Sequence, residues 1–504
     1  MNPATPVRNV VICGGGTAGW MSAAALARLV PAGVAITLVE SEAIGTVGVG
    51  EATIPPIVVF NKLLGIDETD FIRATHGTFK LGIEFVDWLR PGHRYMHPFG
   101  KYGADMHEIS FVHFWLRWLA MGGDPDNDRF NPEARAAREG RFAPRAGSGS
   151  GQGPAINYAY QFDAGAYAAF LRGYAEQRGV VRREGKIAAV HQHAESGFVE
   201  AVELDDGRRV AGELFLDCTG FRGLLIEQTL ATGYEDWSEW LPCNAAVAMP
   251  SANVGDPAPY TRSTAREAGW QWTIPLQHRT GNGYVFCDAH LGADEAAALL
   301  AQRLEGEALG EPRLLRFTAG RRRRSWVKNV VAIGLASGFL EPLESTSIHL
   351  IQAAITKLLG FFPGNGCDPI VANMFNADMD QLVTGIRDFI IAHYKLVERE
   401  GELWRHCREM RVPDSLAATL ELFRTRGEVL STSQDLFKEM NWFAILYGQG
   451  LVPEGHHPLA DAMPAAELER NLAQIERLIA QRVATLPAHR AYLDHLAALP
   501  PGGR

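Results

Sequence analysis

Long apolar runs are missing from this chain of 504 residues, as are a basic surplus and paired cysteines. The segment most easily misread as a span, Asn9 to Ala27, carries no charge but is broken by Gly14, Gly15, Gly16 and Gly19. Strand, tight turn and helix start account for it, which excludes a signal h-region or a membrane helix there. Lys and Arg together number 48 against 58 Asp and Glu, a formal charge of −10. A nucleic-acid partner needs a basic footprint, so that class is excluded as the main ligand. The six cysteines, Cys13, Cys218, Cys243, Cys287, Cys367 and Cys407, make no Cys-x-x-Cys pair, and no zinc or redox-disulfide site is expected. His93 and His97 are four apart, but Gly92 and Pro98 flank them, which argues against a helical metal pair. A reducing cytoplasm is the expected compartment.

What is present is a large globular composition, 47% hydrophobic with 52 glycines and 27 prolines. That size exceeds one ordinary core. The expected class is α/β, with a nucleotide-binding βαβ start: strand Asn9 to Cys13, a helix from about Ala18 to Leu29, and a strand from Val34 to Glu40. Residues 124–154, polar and glycine-rich, read as an exposed insertion. Beyond about residue 350 the pattern is helical, with Leu468, Leu472, Ile475 and Ile479 at helical spacing after Pro464. The expected organisation is an interleaved unit over 1–350, with a β-rich substrate region, and a helical C-terminal lobe over 351–504.

Gly14-Gly15-Gly16-Thr17-Ala18-Gly19 fits Gly-x-Gly-x-x-Gly between a strand and a helix. Gly14 allows the tight turn, Gly16 the approach of a pyrophosphate, and Gly19 close helix–strand packing. The helix start offers N–H groups and partial positive charge to phosphates. Glu40, at the end of the next strand, suits ribose hydroxyls. NAD and FAD share this fingerprint, so it does not choose between them. Two further strand ends, Leu214 to Asp217 before Gly220 and Val330 to Gly334, are of the kind that converges on FAD in monooxygenase-type folds. Both also fit ordinary buried strands with turn glycines.

Four more segments narrow the reading: Gly48-Val-Gly-Glu-Ala-Thr-Ile-Pro55, Phe79-Lys80-Leu-Gly-Ile83, Trp270-Gln-Trp272-Thr-Ile274-Pro275 and Glu341-Pro-Leu-Glu344-Ser-Thr-Ser347. With the glycine turn, this set resembles the flavin-dependent tryptophan halogenase family. The resemblance implies FAD used as FADH2, O2, and chloride or bromide as co-substrate. It places FAD against Gly14, Gly16, Thr17, Ala18, Gly19, Glu40, Val49, Ala52, Asp217, Gly334 and Leu335, and a halide at Thr346 and Ser347. It makes Lys80 the group that receives the oxidised halogen and Glu344 the second catalytic group. Read alone, Lys80 is more often than not a surface lysine, and Glu344 a helix-start carboxylate, so the assignment of Lys80 rests on the resemblance. Trp270 and Trp272 should face the same side of a strand, and the resemblance makes them, with Ile274 and Pro275, a wall between flavin and substrate. His97, Pro98 and Phe99 then line the aromatic pocket. The implied partners are a small aromatic substrate and a separate NAD(P)H-dependent flavin reductase, with the chain a monomer or homodimer. The stretch Glu439 to Gly450 does not match the tyrosine-rich segment of members that act on free tryptophan, which favours indole or another electron-rich ring. An FAD-dependent hydroxylase and a non-catalytic flavin-binding protein are the alternatives. Arg321 to Arg324 read as a solvated loop.

Overall fold

The computed structural model describes residues 6–44, 50–145, 155–364 and 366–500. Two compact units alternate along the chain: Met1–His76, Phe162–Asn244 and Arg316–Val383 form the first, and Gly77–Gln161, Ala245–Leu315 and Thr384–Arg504 the second.

The first unit is built on a six-stranded sheet in the order Trp326–Val327, Val330–Ala332, Leu214–Asp217, Asn9–Cys13, Ala35–Glu40, Val181–Glu184. Its neighbours are parallel except at the Trp326–Val327 edge. The inner strands are almost wholly apolar because both faces are covered. One face meets helix Thr17–Leu29, which buries Trp20 to Leu26. On the other, Val11, Cys13, Phe215 and Val330 pack with Val199, Val202 and Leu204. The register sets Cys13 opposite Asp217 and Asp217 opposite Ala332. Three strands therefore end level, where ligands of open parallel sheets bind.

The second unit carries a seven-stranded sheet in the order Arg313–Arg316, Ala245–Ser251, Thr280–Phe286, Gly269–Pro275, Thr261–Arg266, Gly82–Val86, Arg94–Pro98. Helix Ala293–Gln302 closes one of its cores, where Ala296 and Leu300 meet Val247, Tyr284 and Phe286. The chain after residue 350 is helical, as expected. In helix Ala465–Ala484 the buried stripe is Leu468, Leu472, Ile479 and Val483, while Ile475 is only half-buried.

Three expectations are revised. The units do not divide at residue 350, because Val330–Ala332 completes the parallel sheet and helix Ser347–Gly360 packs on helix Thr17–Leu29. Residues 124–145 are not an open loop: they hold the turn Asp128–Phe130 and helix Pro132–Arg138. There Asn131 accepts the Ala134 N–H at 2.8 Å, Pro132 starts the helix, and buried Glu133 accepts the Asn157 N–H at 2.8 Å. Polar composition was spent on caps and buried bonds, not on solvation. The glycine–serine run 147–153 lies outside the described residues. Third, only half of the arginine run is solvated: Arg323 and Arg324 are exposed, whereas Arg321 and Arg322 lie on the strand Gly320–Arg322. Arg321 pairs with Glu235 and Asp380, and Arg322, 8% exposed, pairs with Glu227 at 2.9 Å.

Candidate active site

The glycine turn has the steric signature of a nucleotide cradle. Gly14 stands at φ +112°, and a Cβ there would lie 2.3 Å from the Cys218 carbonyl oxygen. A Cβ on Gly19 would lie 1.9 Å from the Gly14 oxygen, so helix and strand meet only through glycine. Gly16 is different: a Cβ there would touch nothing within 4 Å. Gly15, not singled out from the sequence, makes room for the Glu40 carboxylate, 1.5 Å from where its Cβ would be. Glu40 is held by Arg182 Nε at 2.5 Å and by the Trp20 indole N–H at 3.3 Å, an acid fixed at a strand end.

Gly334 opens a tight turn at φ +71°, and its Cβ would fall 2.8 Å from the Ala18 methyl. Two residues expected to touch one cofactor are thus brought together, with half-buried Leu335 next in the turn. Ala52 is buried on the short strand Gly50–Ala52, and Val49 lies outside the described residues. Asp217, expected at the cofactor, anchors the loop that follows its strand. One oxygen accepts Thr219 N–H at 3.0 Å and Thr219 Oγ1 at 2.6 Å; the other accepts Leu225 N–H at 2.8 Å and Ile226 N–H at 2.9 Å. All four lone-pair directions serve its own loop, so it shapes the turn after the strand instead of presenting an open acceptor.

Glu51 escaped the sequence reading. Burial pushes its carboxyl up to about 7, and its place inside the Gly48-to-Pro55 motif was the available signal.

Glu344 ends the short turn Pro342–Glu344 and is buried. Ser345 follows at φ 57°, ψ 35°, a left-handed conformation uncommon outside glycine. Helix Ser347–Gly360 then starts, with Thr346 as its first flanking residue. Among the described residues, Thr346 Oγ1, His349 Nδ1 and Gln352 Nε2 are buried without a hydrogen-bond partner. They recur every three residues along one side of the helix start. Burial holds the His349 imidazole neutral, its pKa lowered to about 4. Strain beside unfilled polar atoms at a helix N-terminus fits an anion and a polar cofactor edge. Together with the Gly16 opening, these residues fit FAD and a halide.

In the second unit Lys80 sits on strand Thr78–Lys80 and is 0% exposed, which removes the surface-lysine reading. Its ammonium lies 5.3 Å from the centre of the Phe99 ring. Trp270 and Trp272 are buried on one face of Gly269–Pro275, ring centres 6.2 Å apart. Gly283 is opposite Trp272, and a Cβ there would fall 2.0 Å from that indole, so the glycine seats the ring. Ile274 shares that face and Pro275 ends the strand. His97 and Pro98 pair with Ile83 and Gly82 on the neighbouring strand. His97 Nε2 meets Asn441 Nδ2 at 3.0 Å, and its ring faces Phe389 and Phe437. Phe389 stacks on Phe437 at 3.7 Å and meets Trp442 edge-on at 4.8 Å. Phe389, Phe437, Asn441 and Trp442 were not assigned from the sequence, because only the fold brings them to His97.

A dinucleotide-type cradle lies at the end of a parallel sheet in one unit, and a fully buried lysine lies among aromatic side chains in the other. A family model described as tryptophan halogenase matches residues 9–465. The chain belongs to the tryptophan halogenase family. It is a flavin-dependent halogenase, with FAD, halide and O2 as the reactants of that family. Among solved structures it is similar to Xcc4156, a flavin-dependent halogenase from Xanthomonas campestris, with 49% identity, a TM-score of 0.95, and 99% of this chain and 100% of that one covered. BrvH, a flavin-dependent halogenase from Brevundimonas sp. BAL3, gives 47% identity and a TM-score of 0.92, covering 97% and 99%. The tryptophan 6-halogenase SttH of Streptomyces toxytricini is 36% identical over 529 residues, covering 98% of each chain. No helix among the described residues is long and apolar enough to cross a membrane, and no group of three or more potential metal-ligating side chains is found there.

Proposed function

We propose that this halogenase installs chloride or bromide on indole or a similar electron-rich ring, with Lys80 delivering the electrophilic halogen. The observation that carries the reading is the complete burial of Lys80 over Phe99, inside the unit that also holds the tryptophan pair. An ammonium is strongly hydrated, so complete burial is costly unless the site compensates the charge, and a compensated, water-shielded ammonium suits binding of a hypohalous acid. FAD, when bound in its reduced form, supplies with O2 the two-electron oxidation of halide. The residues of the chain do the rest. The turn Gly14 to Gly19 and Glu40 hold the pyrophosphate and a ribose, and Gly334, Leu335 and Ala52 border the cofactor. Thr346 and Ser347 hold the halide at a helix start. Lys80 binds the resulting hypohalous acid through its ammonium, or takes the halogen on its amine, and so keeps it from diffusing. The ring carbon takes the halogen, and Glu344 accepts the proton released. Trp270 and Trp272 exclude water and fix the chamber, while His97 and Phe99 orient the ring.

The aromatic cluster of Phe389, Phe437 and Trp442 at His97 supports a neutral ring over a zwitterion, whose charges would need partners there. Glu439, which opens the helix Glu439–Gly448, is raised by burial above the usual carboxylate range, which weakens it as a counter-ion for an ammonium. One Gly-x-Gly-x-x-Gly turn serves the chain, so we assign the NAD(P)H step to a separate flavin reductase. Six free, buried cysteines support a reducing cytoplasm.

The test supplies FAD, NADH, an unrelated flavin reductase and chloride or bromide, and follows indole and free tryptophan by mass spectrometry. Halogenated indole should exceed halogenated tryptophan, and Lys80→Ala should bind FAD yet form neither product. Faster turnover of tryptophan, or product from Lys80→Ala, overturns the corresponding half of the reading.

A further inference from the structure

The strand that carries Lys80 is held by a histidine 410 residues away in sequence. Strand Thr78–Lys80 is three residues long and pairs on one side with Ala159 to Gln161. A strand so short is weakly fixed by its own ladder, so the remaining bonds decide where the lysine sits. On one side of Lys80, the Phe79 N–H donates to His489 Nε2 at 3.2 Å. On the other, the Leu81 N–H donates to the Pro259 carbonyl at 2.8 Å. His489 Nδ1 lies 2.8 Å from the Pro257 carbonyl, in the same loop as Pro259. One imidazole thus ties the lysine strand to the loop that holds its other flank.

The chemistry of the partners fixes the tautomer. A backbone N–H only donates, so Nε2 must carry the lone pair; a carbonyl only accepts, so Nδ1 must carry the proton. A protonated ring would set two N–H groups against each other at Phe79. The ring is 1% exposed, and burial lowers its pKa to about 4, which keeps the neutral form. Its position is also built. Leu486 to Ala488 run beside Arg141 and Phe142, with Phe142 N–H donating to Pro487 O at 3.1 Å and His489 N–H to Gly140 O at 2.8 Å. Phe142 stacks on Phe79 at 4.1 Å, and His489 stands edge-on to both rings. Thr78 completes the frame by donating its hydroxyl to the Pro275 carbonyl at 2.7 Å, which joins the lysine strand to the end of the tryptophan strand.

We infer that His489 is a positioning residue for halogen transfer: its Nε2 holds the Phe79 amide so that the Lys80 ammonium stays at its working place in the aromatic chamber. This rests on the reading that Lys80 receives the oxidised halogen. Oxidation of halide does not need Lys80 in register, whereas transfer to a ring carbon does. Loss of the tether should therefore separate the two.

The experiment compares His489→Asn and His489→Gln in the full chain with bound FAD, a flavin reductase, NADH, bromide and indole. Asparagine places its amide at the Nδ1 position and keeps the bond to Pro257, but leaves the Phe79 N–H without an acceptor. Glutamine can place its carbonyl oxygen at the Nε2 position and restore that acceptor. Bromoindole formation is read beside bromination of a small diketone trap for free hypobromous acid, with FAD affinity and Tm as controls. In His489→Asn, kcat for bromoindole should fall about 10- to 100-fold with KM within about twofold, while trap bromination persists. In His489→Gln, product should return to within about threefold of the natural protein. An unchanged ratio of product to trap bromination in His489→Asn overturns the inference. So does an equal loss of product, trap bromination and FAD binding in both variants, which would mark a merely structural histidine. Lys80→Ala is run alongside. If it still brominates indole at the natural rate, the reading of Lys80 fails and the inference with it. If it is inactive while His489→Asn is normal, the inference alone fails.

Discussion

Gly14 and Gly16 stand two residues apart, yet replacing each with alanine should damage different properties. At Gly14 the backbone is left-handed at φ +112°, and the new Cβ would lie 2.3 Å from the Cys218 carbonyl oxygen. Ordinary contact lies near about 3.5 Å, so the overlap exceeds an ångström and involves backbone that cannot swing away. A left-handed residue costs about 1–2 kcal/mol, and forced overpacking about 1–3 kcal/mol. With an unfolding entropy of about 2.1 cal/mol/K per residue, each kcal/mol shifts the melting of a 504-residue chain by about 1 °C, so the flavin-free protein should melt roughly 2–5 °C lower. Gly16 has φ −75° and ψ −172°, a conformation open to any residue, and its Cβ would meet nothing within 4 Å. Gly16→Ala should leave the flavin-free Tm unchanged, or raise stability by about 0.4–1 kcal/mol through the unfolded chain. Its methyl would instead stand where the pyrophosphate backbone must approach, and FAD affinity should fall by about tenfold or more, a loss above about 1.4 kcal/mol. Thermal melts of flavin-free protein and titration of FAD fluorescence separate the two effects. Natural FAD affinity in Gly16→Ala would refute the cradle, and a natural Tm in Gly14→Ala would refute the steric reasoning.

Asp217→Asn should destabilise the protein, because an amide offers donors to a loop of donors: at least one of the Thr219, Leu225 and Ile226 groups loses its acceptor. The expected cost is about 1–3 kcal/mol in urea unfolding, and an unchanged midpoint would show that the carboxylate does not anchor the turn. Glu51→Gln tests the raised carboxyl near pH 7. A folded pKa of about 7 against an ordinary 4.5 means that the folded state binds the proton more tightly. Its contribution is complete below the unfolded value and is lost as pH rises from 4.5 to 7. Glutamine removes that loss, so flavin-free Glu51→Gln should be more stable at pH 8, by up to about 3 kcal/mol, and no more stable below pH 4.5. Equal gains at both pH values would show that burial does not perturb this carboxyl.

Much of the nucleotide half was legible in the sequence because its constraints are local. Gly14, Gly16 and Gly19 lie within six residues, and the strand and helix that flank them announce themselves by apolar pattern. The same-face placement of Trp270 and Trp272 followed from the two-residue period of a strand, and the rings do lie side by side. Resemblance supplied what pattern could not: Lys80 in isolation looks like a surface lysine, and only the fold shows it fully buried. The misreadings have a common cause. The polar stretch from Asp124 and the first two arginines of the run were judged by composition, and composition does not say whether a polar group faces water or a partner. Arg322 meets Glu227 and Asp217 meets four donors of its own loop, so both are polar residues used as internal struts.

His489 carries that lesson furthest. It lies beyond the residues 9–465 matched by the family model, on a ten-residue helix whose sequence, His-Arg-Ala-Tyr-Leu-Asp-His-Leu-Ala-Ala, has no chemical signature. Its importance comes from where Leu486 to Ala488 bring it, beside Phe142 and under Phe79. A reactive halogen must be handed over within a fraction of an ångström, because transfer depends on near-attack geometry. A three-residue strand cannot supply that precision from its own hydrogen bonds. The chain obtains it by fastening both amides that flank Lys80, one to the His489 ring and one to a loop that the same ring holds. If Lys80 delivers the halogen as proposed, His489 serves it only through the Phe79 amide, a positioning role that nothing in the residue pattern of its helix announces.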